Sequence, residues 1–156
     1  MPTVNENCPI LMAEDDQDDL LLVKKAIEKN KIPNPLVAVA DGEQMLDYLY
    51  RRGRYSRVAA VRPCLILLDL NMPRMDGREA LRVLKGDERL KRIPVVILTT
   101  SLSPEDLEAS YAVGANSYIR KPSSFNELAA TIGSLRQYWL EIVQLPPNKG
   151  SDDHDR

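Results

Sequence analysis

The sequence predicts a single doubly wound α/β domain, in which a parallel sheet is covered by helices on both faces. Short apolar runs alternate with stretches of helical spacing along the chain, which is the pattern of βαβ units. Leu65–Leu68 is an unbroken aliphatic run, as expected for a central strand that is buried on both faces. A length of 156 residues suits one domain with its own hydrophobic core.

The first half of the chain predicts two strand–helix units. Ile10–Ala13 is a short apolar strand, and Asp18–Asn30 follows it with apolar residues spaced as on one face of a helix. This helix stops before Pro33, because proline cannot continue it. Leu36–Ala40 predicts the second strand, and Glu43–Arg52 predicts the second helix.

The second half predicts the remaining units. A helix over Arg78–Lys85 follows the central strand, and Val95–Leu98 is another buried strand. Helix four begins at Ser103, where a capping side chain precedes a proline, and Tyr118–Ile119 is a short fifth strand. Ser124 opens helix five, with a glutamate three residues later as in a capping box. The apolar stripe of that helix is Phe125, Leu128, Ala129, Ile132, Leu135, Trp139 and Ile142.

The segment Arg51–Pro63 does not fit this alternation. It is basic, has no clean periodicity and is longer than a usual connection between a helix and a strand. Two interpretations stay open at this stage: a plain surface insertion, or a surface that contacts a partner.

Composition excludes several functional classes. A net charge of -2 gives no basic excess for binding nucleic acid. We expect a cytoplasmic chain, because the sequence has neither a signal-peptide pattern nor an apolar segment near the roughly 20 residues of a membrane span. Cys8 and Cys64 are too few for a disulfide framework or a zinc site, so we expect free thiols. The only histidine, His154, lies in a polar C-terminal stretch, which excludes histidine catalysis in the core.

Reactive side chains follow the predicted strands at the points where the strands end. In open α/β sheets, ligands bind beyond the carboxyl ends of the strands, so we expect one shared site. Each of these side chains alone has an ordinary explanation as a turn, cap or surface residue. Their arrangement in one order at one sheet edge favours a functional site. The residues are Glu14, Asp15, Asp16, Asp69, Thr99 and Lys121.

This set of side chains suits a hard cation and a phosphoryl group. Converging carboxylates repel one another unless a cation neutralises them, and oxygen ligands suit Mg²⁺. A carboxylate can attack phosphorus and form an acyl phosphate. A lysine ammonium and a threonine hydroxyl can then stabilise the charge on the transferred oxygens.

Four motifs resemble the receiver domains of two-component response regulators. The resemblance covers roughly residues 8–143 and leaves residues 1–7 as an N-terminal arm and 144–156 as a polar C-terminal tail. It implies a flavodoxin-like fold with five parallel strands in the order 2-1-3-4-5. The motifs are MAEDD (Met12–Asp16), LLDLNMPRMDG (Leu67–Gly77), LTTS (Leu98–Ser101) and YIRKP (Tyr118–Pro122).

The resemblance implies a role for each matching residue. Asp69 corresponds to the phosphoacceptor, which receives its phosphate from a sensor histidine kinase. Thr99 and Lys121 would bind the phosphoryl group, and a cis peptide between Lys121 and Pro122 would orient the lysine. Thr99 would also act as a switch together with Tyr118, which turns inward as Thr99 moves. The implied Mg²⁺ ligands are Glu14 through a water, Asp15, Asp69 and the backbone carbonyl of Asn71.

Two features resemble the small regulators paired with bacterial and cyanobacterial phytochromes. One is the long segment Arg51–Pro63, and the other is the extended ending Leu135–Pro147. This resemblance implies a red-light-sensing histidine kinase as the phosphate donor.

Only seven residues follow Lys149, so we expect no output domain and no enzymatic activity beyond self-phosphorylation and dephosphorylation. Output would then pass to a downstream protein. We expect a homodimer through the face of helix four, strand five and helix five. Aromatic and aliphatic candidates on or near that face are Tyr111, Tyr138, Trp139 and Leu140.

Three other classes fit less well. An aspartyl-phosphate phosphatase or phosphotransferase would need an acid two residues after Asp69, where Asn71 stands. A phosphate-independent scaffold would not need the complete set of site residues. A flavodoxin-like cofactor binder would need a glycine-rich loop after strand one, where acids stand instead.

Overall fold

A computed structural model describes residues 8–57 and 60–142. The strands form one parallel sheet in the order β2-β1-β3-β4-β5, which confirms the predicted doubly wound fold. The strands are β1 (Ile10–Ala13), β2 (Leu36–Val39), β3 (Leu65–Leu68), β4 (Val95–Thr99) and β5 (Ser117–Arg120). The α-helices are α1 (Gln17–Lys29), α2 (Gly42–Tyr50), α3 (Gly77–Gly86), α4 (Pro104–Val113) and α5 (Phe125–Leu135). A 3₁₀ turn covers Gly53–Tyr55, and π-helical backbone covers Arg136–Ile142.

The register of the sheet aligns the ends of the central strands. Ala13, the last residue of β1, pairs with Val39 of β2 and with Leu68 of β3. Thr99 of β4 pairs with Arg120 of β5. Because the strands are parallel, the residues that follow each strand emerge at one edge, where ligands bind in such sheets.

Helices cover both faces of the sheet, so strand residues are buried in alternation against different helices. Leu11, Ile66 and Ile97 belong to the apolar cluster that includes residues of α2 and α3. Met12 and Leu67 belong to the opposite cluster, with residues of α1 and α5. This two-sided burial explains why the central strands are aliphatic throughout.

Side-chain caps set the starts of the helices. Asp16 accepts the amides of Asp18 and Asp19, so α1 starts at Gln17, one residue before the predicted boundary. The predicted caps Ser103 and Ser124 are confirmed, since each accepts an amide three residues later. At the other end, α2 stops two residues earlier than predicted, because Arg51 is left-handed with φ 55°.

The π-helical segment Arg136–Ile142 continues α5 and packs against the apolar core through Trp139. Trp139 is half-buried against the cluster of α1 and α5, and it contacts the exposed ring of Tyr138 edge to face. The side chain of Ile142, the last residue of the predicted stripe, and the predicted polar tail lie outside the described residues. None of the helices in the described ranges has the length and apolarity needed to cross a membrane.

The prediction of two free thiols is wrong, because Cys8 and Cys64 form a disulfide. Cys8 lies just before β1 and Cys64 just before β3, and these strands are neighbours in the sheet. Their Cα atoms are 5.6 Å apart, within the range that a disulfide spans. The separation of 56 residues hid the pairing at the sequence level, since only the sheet order brings the two together.

Reduction of this disulfide should lower the free energy of unfolding. Opening a closed loop of this length restores entropy to the unfolded chain, worth up to about 4 kcal/mol in the chain-entropy model. Urea denaturation with and without a reductant measures the difference. The Cys64→Ser variant is the control, since its stability should not respond to reductant. Alkylation of two thiols in the native, unreduced protein would contradict the bond.

Candidate functional site

The ends of β1 and β3 bring the central carboxylates together. The amide of Asp69 donates to the carbonyl of Ala13 at 3.1 Å, which extends the ladder between the two strands by one residue. Glu14 and Asp69 are both buried, whereas Asp15 is exposed. One carboxylate oxygen from each of these three residues lies within 4.8 Å of the others.

Lys121 crosses the end of the sheet to reach this cluster. Its amide donates to the carbonyl of Thr99 at 2.8 Å, so the residue leaves β5 beside the end of β4. Its Nζ lies 3.1 Å from Asp69 Oδ2 and 2.5 Å from Glu14 Oε1. The lysine side chain is only 12% exposed, so these ion pairs are largely shielded from water.

One member of this cluster, Asp19, was not predicted from the sequence. Its Oδ2 lies 2.8 Å from Lys121 Nζ. Asp19 belongs to the first turn of α1, which Asp16 caps, so the helix begins directly above the site. Its one signal in the sequence was its place in the acidic run that follows strand one.

Burial shapes the charges of this cluster. Burial raises the pKa of Glu14 to about 7 and the charge of Asp69 adds to this, whereas the ammonium group of Lys121 and the Asp16 amide lower it. Burial alone would lower the pKa of Lys121, but its contacts with the carboxylates of Asp19, Glu14 and Asp69 raise it above its usual value. The lysine is therefore cationic at neutral pH.

The acidic cluster fits a divalent metal ion. Glu14, Asp15 and Asp69 offer only oxygen atoms, which are the donors that hard cations prefer. Among the described residues, no hydrogen-bond donor is aligned on the buried Glu14 Oε1, although Lys121 lies close to it. One ammonium group cannot balance these carboxylates and Asp19 together, so a bound cation would complete the neutralisation.

Asn71 and Gly77 shape the loop that carries Asp69. The amide of Asn71 donates to Asp69 Oδ1 at 3.3 Å, so the loop turns back toward the carboxylate directly after β3. A Cβ atom at Gly77 would lie 2.1 Å from the carbonyl oxygen of Asp69. Only glycine therefore allows this close return of the chain, which places the start of α3 beside the site.

Thr99 and Tyr118 meet at the loop after β4. The Thr99 hydroxyl oxygen is fully buried and accepts the amide of Ser101 at 3.3 Å. The Tyr118 ring is half-buried, and its hydroxyl donates to the carbonyl of Ser101 at 3.4 Å. The two predicted switch residues therefore contact the same residue, although they lie on different strands.

An arginine and an aspartate missed by the sequence analysis join this loop to the loop after β3. The guanidinium group of Arg78 donates two hydrogen bonds to the carboxylate of Asp106, at 2.8 Å from Nε and 2.7 Å from Nη2. Ser101 donates its hydroxyl to the same carboxylate at 2.6 Å. The hydrogen bonds from Arg78 and Ser101 lower the pKa of Asp106 to about 2. Arg78 and Asp106 are 28 residues apart in the sequence, so no local pattern indicated this contact.

The predicted cis peptide before Pro122 is wrong. All peptide bonds between described residues are trans, including the bond between Lys121 and Pro122. Trans is the lower-energy isomer of such bonds. The lysine reaches Asp69 from this geometry, with its amide tied to the Thr99 carbonyl.

The face of α4, β5 and α5 carries several exposed apolar side chains. Tyr111 and Tyr138 are about half exposed, and so are the aliphatic side chains nearby on α4 and its preceding loop. Trp139, by contrast, is half-buried in the cluster of α1 and α5, and the side chain of Leu140 lies outside the described residues. The exposed large apolar residues of α4 and of the loop before it are Leu102, Leu107 and Tyr111.

The segment Arg51–Pro63 leads into β3, so its C-terminal part lies at the amino ends of the strands, opposite to the acidic site. The Tyr48 hydroxyl donates to the carbonyl of Val61 at 2.7 Å, and its ring contacts Tyr55 edge to face. Arg52 pairs with Asp47 at 2.8 Å. The described part of the segment is therefore anchored to α2 and does not contribute to the acidic site.

A family model for the response regulator receiver domain matches residues 10–133. The chain belongs to the response regulator receiver family. The match spans every strand of the sheet and all the side chains of the acidic cluster. Membership agrees with the strand order and with the resemblance seen in the four motifs.

Two relatives of this receiver are informative. Response regulator Rcp1 of Synechocystis is 40% identical over 88% of this chain and 92% of its own length. A probable methanogenesis regulatory protein, FilR2 of Methanothrix harundinacea, is also 40% identical, over 84% of this chain and 83% of its own.

Solved structures agree with these sequence relatives. The phosphorylated cyanobacterial phytochrome response regulator RcpA superposes with a TM-score of 0.83 at 38% identity, covering 90% of this receiver and 99% of that chain. The Mn²⁺-bound form of Rcp1 superposes with a TM-score of 0.81 at 39% identity, with the same coverage. This receiver is thus homologous to phytochrome response regulators over nearly their full lengths.

The receiver should lose stability in acid, because protonation of Asp106 removes its ion pair with Arg78. The pKa of Asp106 in the folded state, about 2, lies below its ordinary value of 3.8. The stabilisation is therefore fully present above about pH 4 and is lost as the pH falls toward 2, by about 1 kcal/mol, because solvent screens this partly exposed pair. Urea denaturation between pH 2 and 6 should show the stability gap between wild type and Asp106→Asn closing below pH 4. A gap that stays constant over this range would contradict the prediction.

Proposed function

We propose that this receiver is a stand-alone response regulator in which Asp69 accepts a phosphoryl group from the phosphohistidine of a sensor kinase. The observation that carries the proposal is the contact of Lys121 with Asp69, beside the carboxylates of Glu14 and Asp15. A lysine held against one buried carboxylate of an acidic cluster suits a site that receives a charged group on that carboxylate.

In the transfer, an oxygen of Asp69 forms a bond to phosphorus while the bond from phosphorus to the donor nitrogen breaks. Lys121 already lies 3.1 Å from Asp69 Oδ2, so its ammonium can pair with a phosphoryl oxygen there. The Thr99 hydroxyl oxygen accepts the Ser101 amide, and its O–H can donate to another phosphoryl oxygen when Thr99 moves toward the group. Tyr118 would follow this movement through its own bond to Ser101.

We assign Mg²⁺ to the acidic cluster, with Asp15 and Asp69 as direct ligands and Glu14 acting through a water. The backbone carbonyl of Asn71 completes the proposed set of protein ligands. Few protein oxygens suit Mg²⁺, which retains several waters and so leaves positions for phosphoryl oxygens. When bound, the ion would neutralise the carboxylates and the charge of the phosphoryl group. The Mn²⁺-bound structure of Rcp1 supports a divalent metal in this family.

We further propose a phytochrome-type histidine kinase in the cytoplasm as the donor. The support is the homology to RcpA and Rcp1 over nearly their full lengths. The equal identity to FilR2 makes direct transfer assays the decisive comparison. Phosphotransfer profiling against the histidine kinases of the host should show a kinetic preference for the cognate one.

The proposed output is a protein contact, not a catalysed reaction. We place the receiver domain at residues 8–143 and propose a homodimer through the face of α4, β5 and α5. The exposed apolar side chains of Leu107, Tyr111 and Tyr138 support an interface there. A catalytic aspartyl-phosphate phosphatase is disfavoured, because Asn71 offers no carboxylic acid near Asp69 for proton transfer.

Replacing Asp69 with asparagine should abolish phosphorylation, because an amide cannot form the acyl phosphate. Incubation with labelled acetyl phosphate or a phosphorylated histidine kinase, with and without Mg²⁺, measures the incorporated label. Asp47→Asn is the matched control, because Asp47 pairs with Arg52 on the surface and should leave labelling unchanged. Full labelling of the Asp69→Asn variant would refute the assignment.

Replacing Asp15 with asparagine should weaken Mg²⁺ binding about tenfold or more, because it removes one charged ligand from the cluster. Isothermal titration calorimetry with Mg²⁺ measures the affinity. Asp18→Asn is the control, since Asp18 belongs to the same acidic run but is not part of the cluster. Equal losses in both variants would indicate that only the general negative charge matters.

A further inference from the structure

Arg78 contacts both of the loops that flank the phosphorylation site. It lies in the first turn of α3, directly after the loop that carries Asp69. On that side its Nη1 donates to the carbonyl of Leu70 at 3.3 Å, and its Nη2 to Asn71 Oδ1 at 3.4 Å. On the other side it binds Asp106 of α4 with two short hydrogen bonds.

Asp106 in turn holds the loop after β4. Its carboxylate accepts the Ser101 hydroxyl at 2.6 Å, and its amide donates to Ser103 Oγ at 3.2 Å. The Ser101 amide donates to the Thr99 hydroxyl oxygen, and the Ser101 carbonyl accepts the Tyr118 hydroxyl. The position of Asp106 therefore determines the positions of the groups that surround Thr99.

The contact between Arg78 and Asp106 is stronger than an ordinary surface ion pair. Its two parallel hydrogen bonds fix the geometry of both groups, and the side chains are only 34% and 16% exposed. Within the described ranges, the hydrogen bonds that join α3 or its preceding loop to α4 or its preceding loop all come from Arg78. Loss of this one side chain would leave those two segments joined by packing alone.

We propose that Arg78 is a positioning residue for phosphorylation, which sets the distance between Asp69 and the Thr99 hydroxyl through its bidentate contact with Asp106. The inference rests on the proposed role of Asp69 as phosphoacceptor. Among the described residues, Arg78 forms no hydrogen bond or ion pair with Asp69 or Lys121, so it acts through the two loops. Misplacement of a group by about 1 Å can reduce a rate on the order of a hundredfold, so the spacing of these loops matters.

The same contact links the site to the exposed face of α4. Asp106 lies in the first turn of α4, and the exposed Leu107 and Tyr111 follow on the same helix. When Thr99 moves toward a phosphoryl group, Ser101 loses one bond, and Asp106 keeps the start of α4 attached to Arg78. Arg78 therefore holds the start of α4 in place while the loop after β4 moves.

Beryllofluoride, which mimics a phosphoryl group on a carboxylate, provides the test. In the presence of Mg²⁺, Arg78→Met and Asp106→Ala should each weaken its binding on the order of tenfold, and the double variant no further. Mg²⁺ affinity without beryllofluoride should be unchanged in Asp106→Ala, because the three carboxylates of the metal cluster lie on other loops. A residue that only stabilised the fold would not produce this separation of the two affinities.

Hydrogen exchange in the metal-free protein supplies an independent measurement. The amides of residues 99–103 should exchange faster in Asp106→Ala, while those of β1 and β3 keep their protection. Arg52→Met is the matched control for Arg78→Met, since it removes an arginine paired with Asp47 at the surface. It should leave both beryllofluoride affinity and exchange unchanged. Should Arg78→Met fail to fold, Asp106→Asn retains the shape of the side chain and removes its charge.

The outcomes separate this inference from the proposed function. Failure of beryllofluoride to bind the wild-type protein would overturn the role of Asp69, and this inference with it. Wild-type binding together with unchanged affinity in Arg78→Met and Asp106→Ala would overturn the inference alone. A loss of folding stability in these variants without a loss of beryllofluoride affinity would also overturn it.

Discussion

The structure of the site depends on one lysine ammonium group held among three carboxylates, two of which are buried. Lys121 brings its ammonium group to Glu14, Asp19 and Asp69 at the carboxyl edge of the sheet. Removing one partner from such a buried group leaves an uncompensated charge, which costs several kcal/mol. The lysine therefore holds the acids of three different segments together, and it also occupies the place where a negatively charged group would arrive on Asp69.

The sheet makes this arrangement possible, because the residues that follow the parallel strands β1, β3, β4 and β5 all lie at the carboxyl ends of the strands. The cores on its two faces are continuous and aliphatic, so the strand ends are rigidly placed. The loops above them are held by hydrogen bonds and ion pairs, and the loop after β3 is also packed into the core through Leu70 and Met72. The sheet therefore provides a fixed platform, and the side chains of the site stand on the loops that follow its strands.

Interactions between residues close in the sequence were predictable, whereas interactions between distant segments were not. The caps Ser103 and Ser124 were predicted correctly, because a cap involves residues three positions apart. The disulfide of Cys8 and Cys64 was missed, and the predicted cis peptide at Lys121 is trans. Both depend on the environment that distant segments create, so local pattern carries little information about them.

The sequence by itself determined the fold class, the order of the elements and the family, because periodicity and motif residues are read along the chain. It also indicated that Asp69, Thr99 and Lys121 share one sheet edge. Only the tertiary structure decided that Asp19 pairs with Lys121 and that Arg78 joins Asp106 to the loop beside Asp69. Those contacts connect side chains on separate helices and loops, and their geometry exists only after the sheet has set the distances between them.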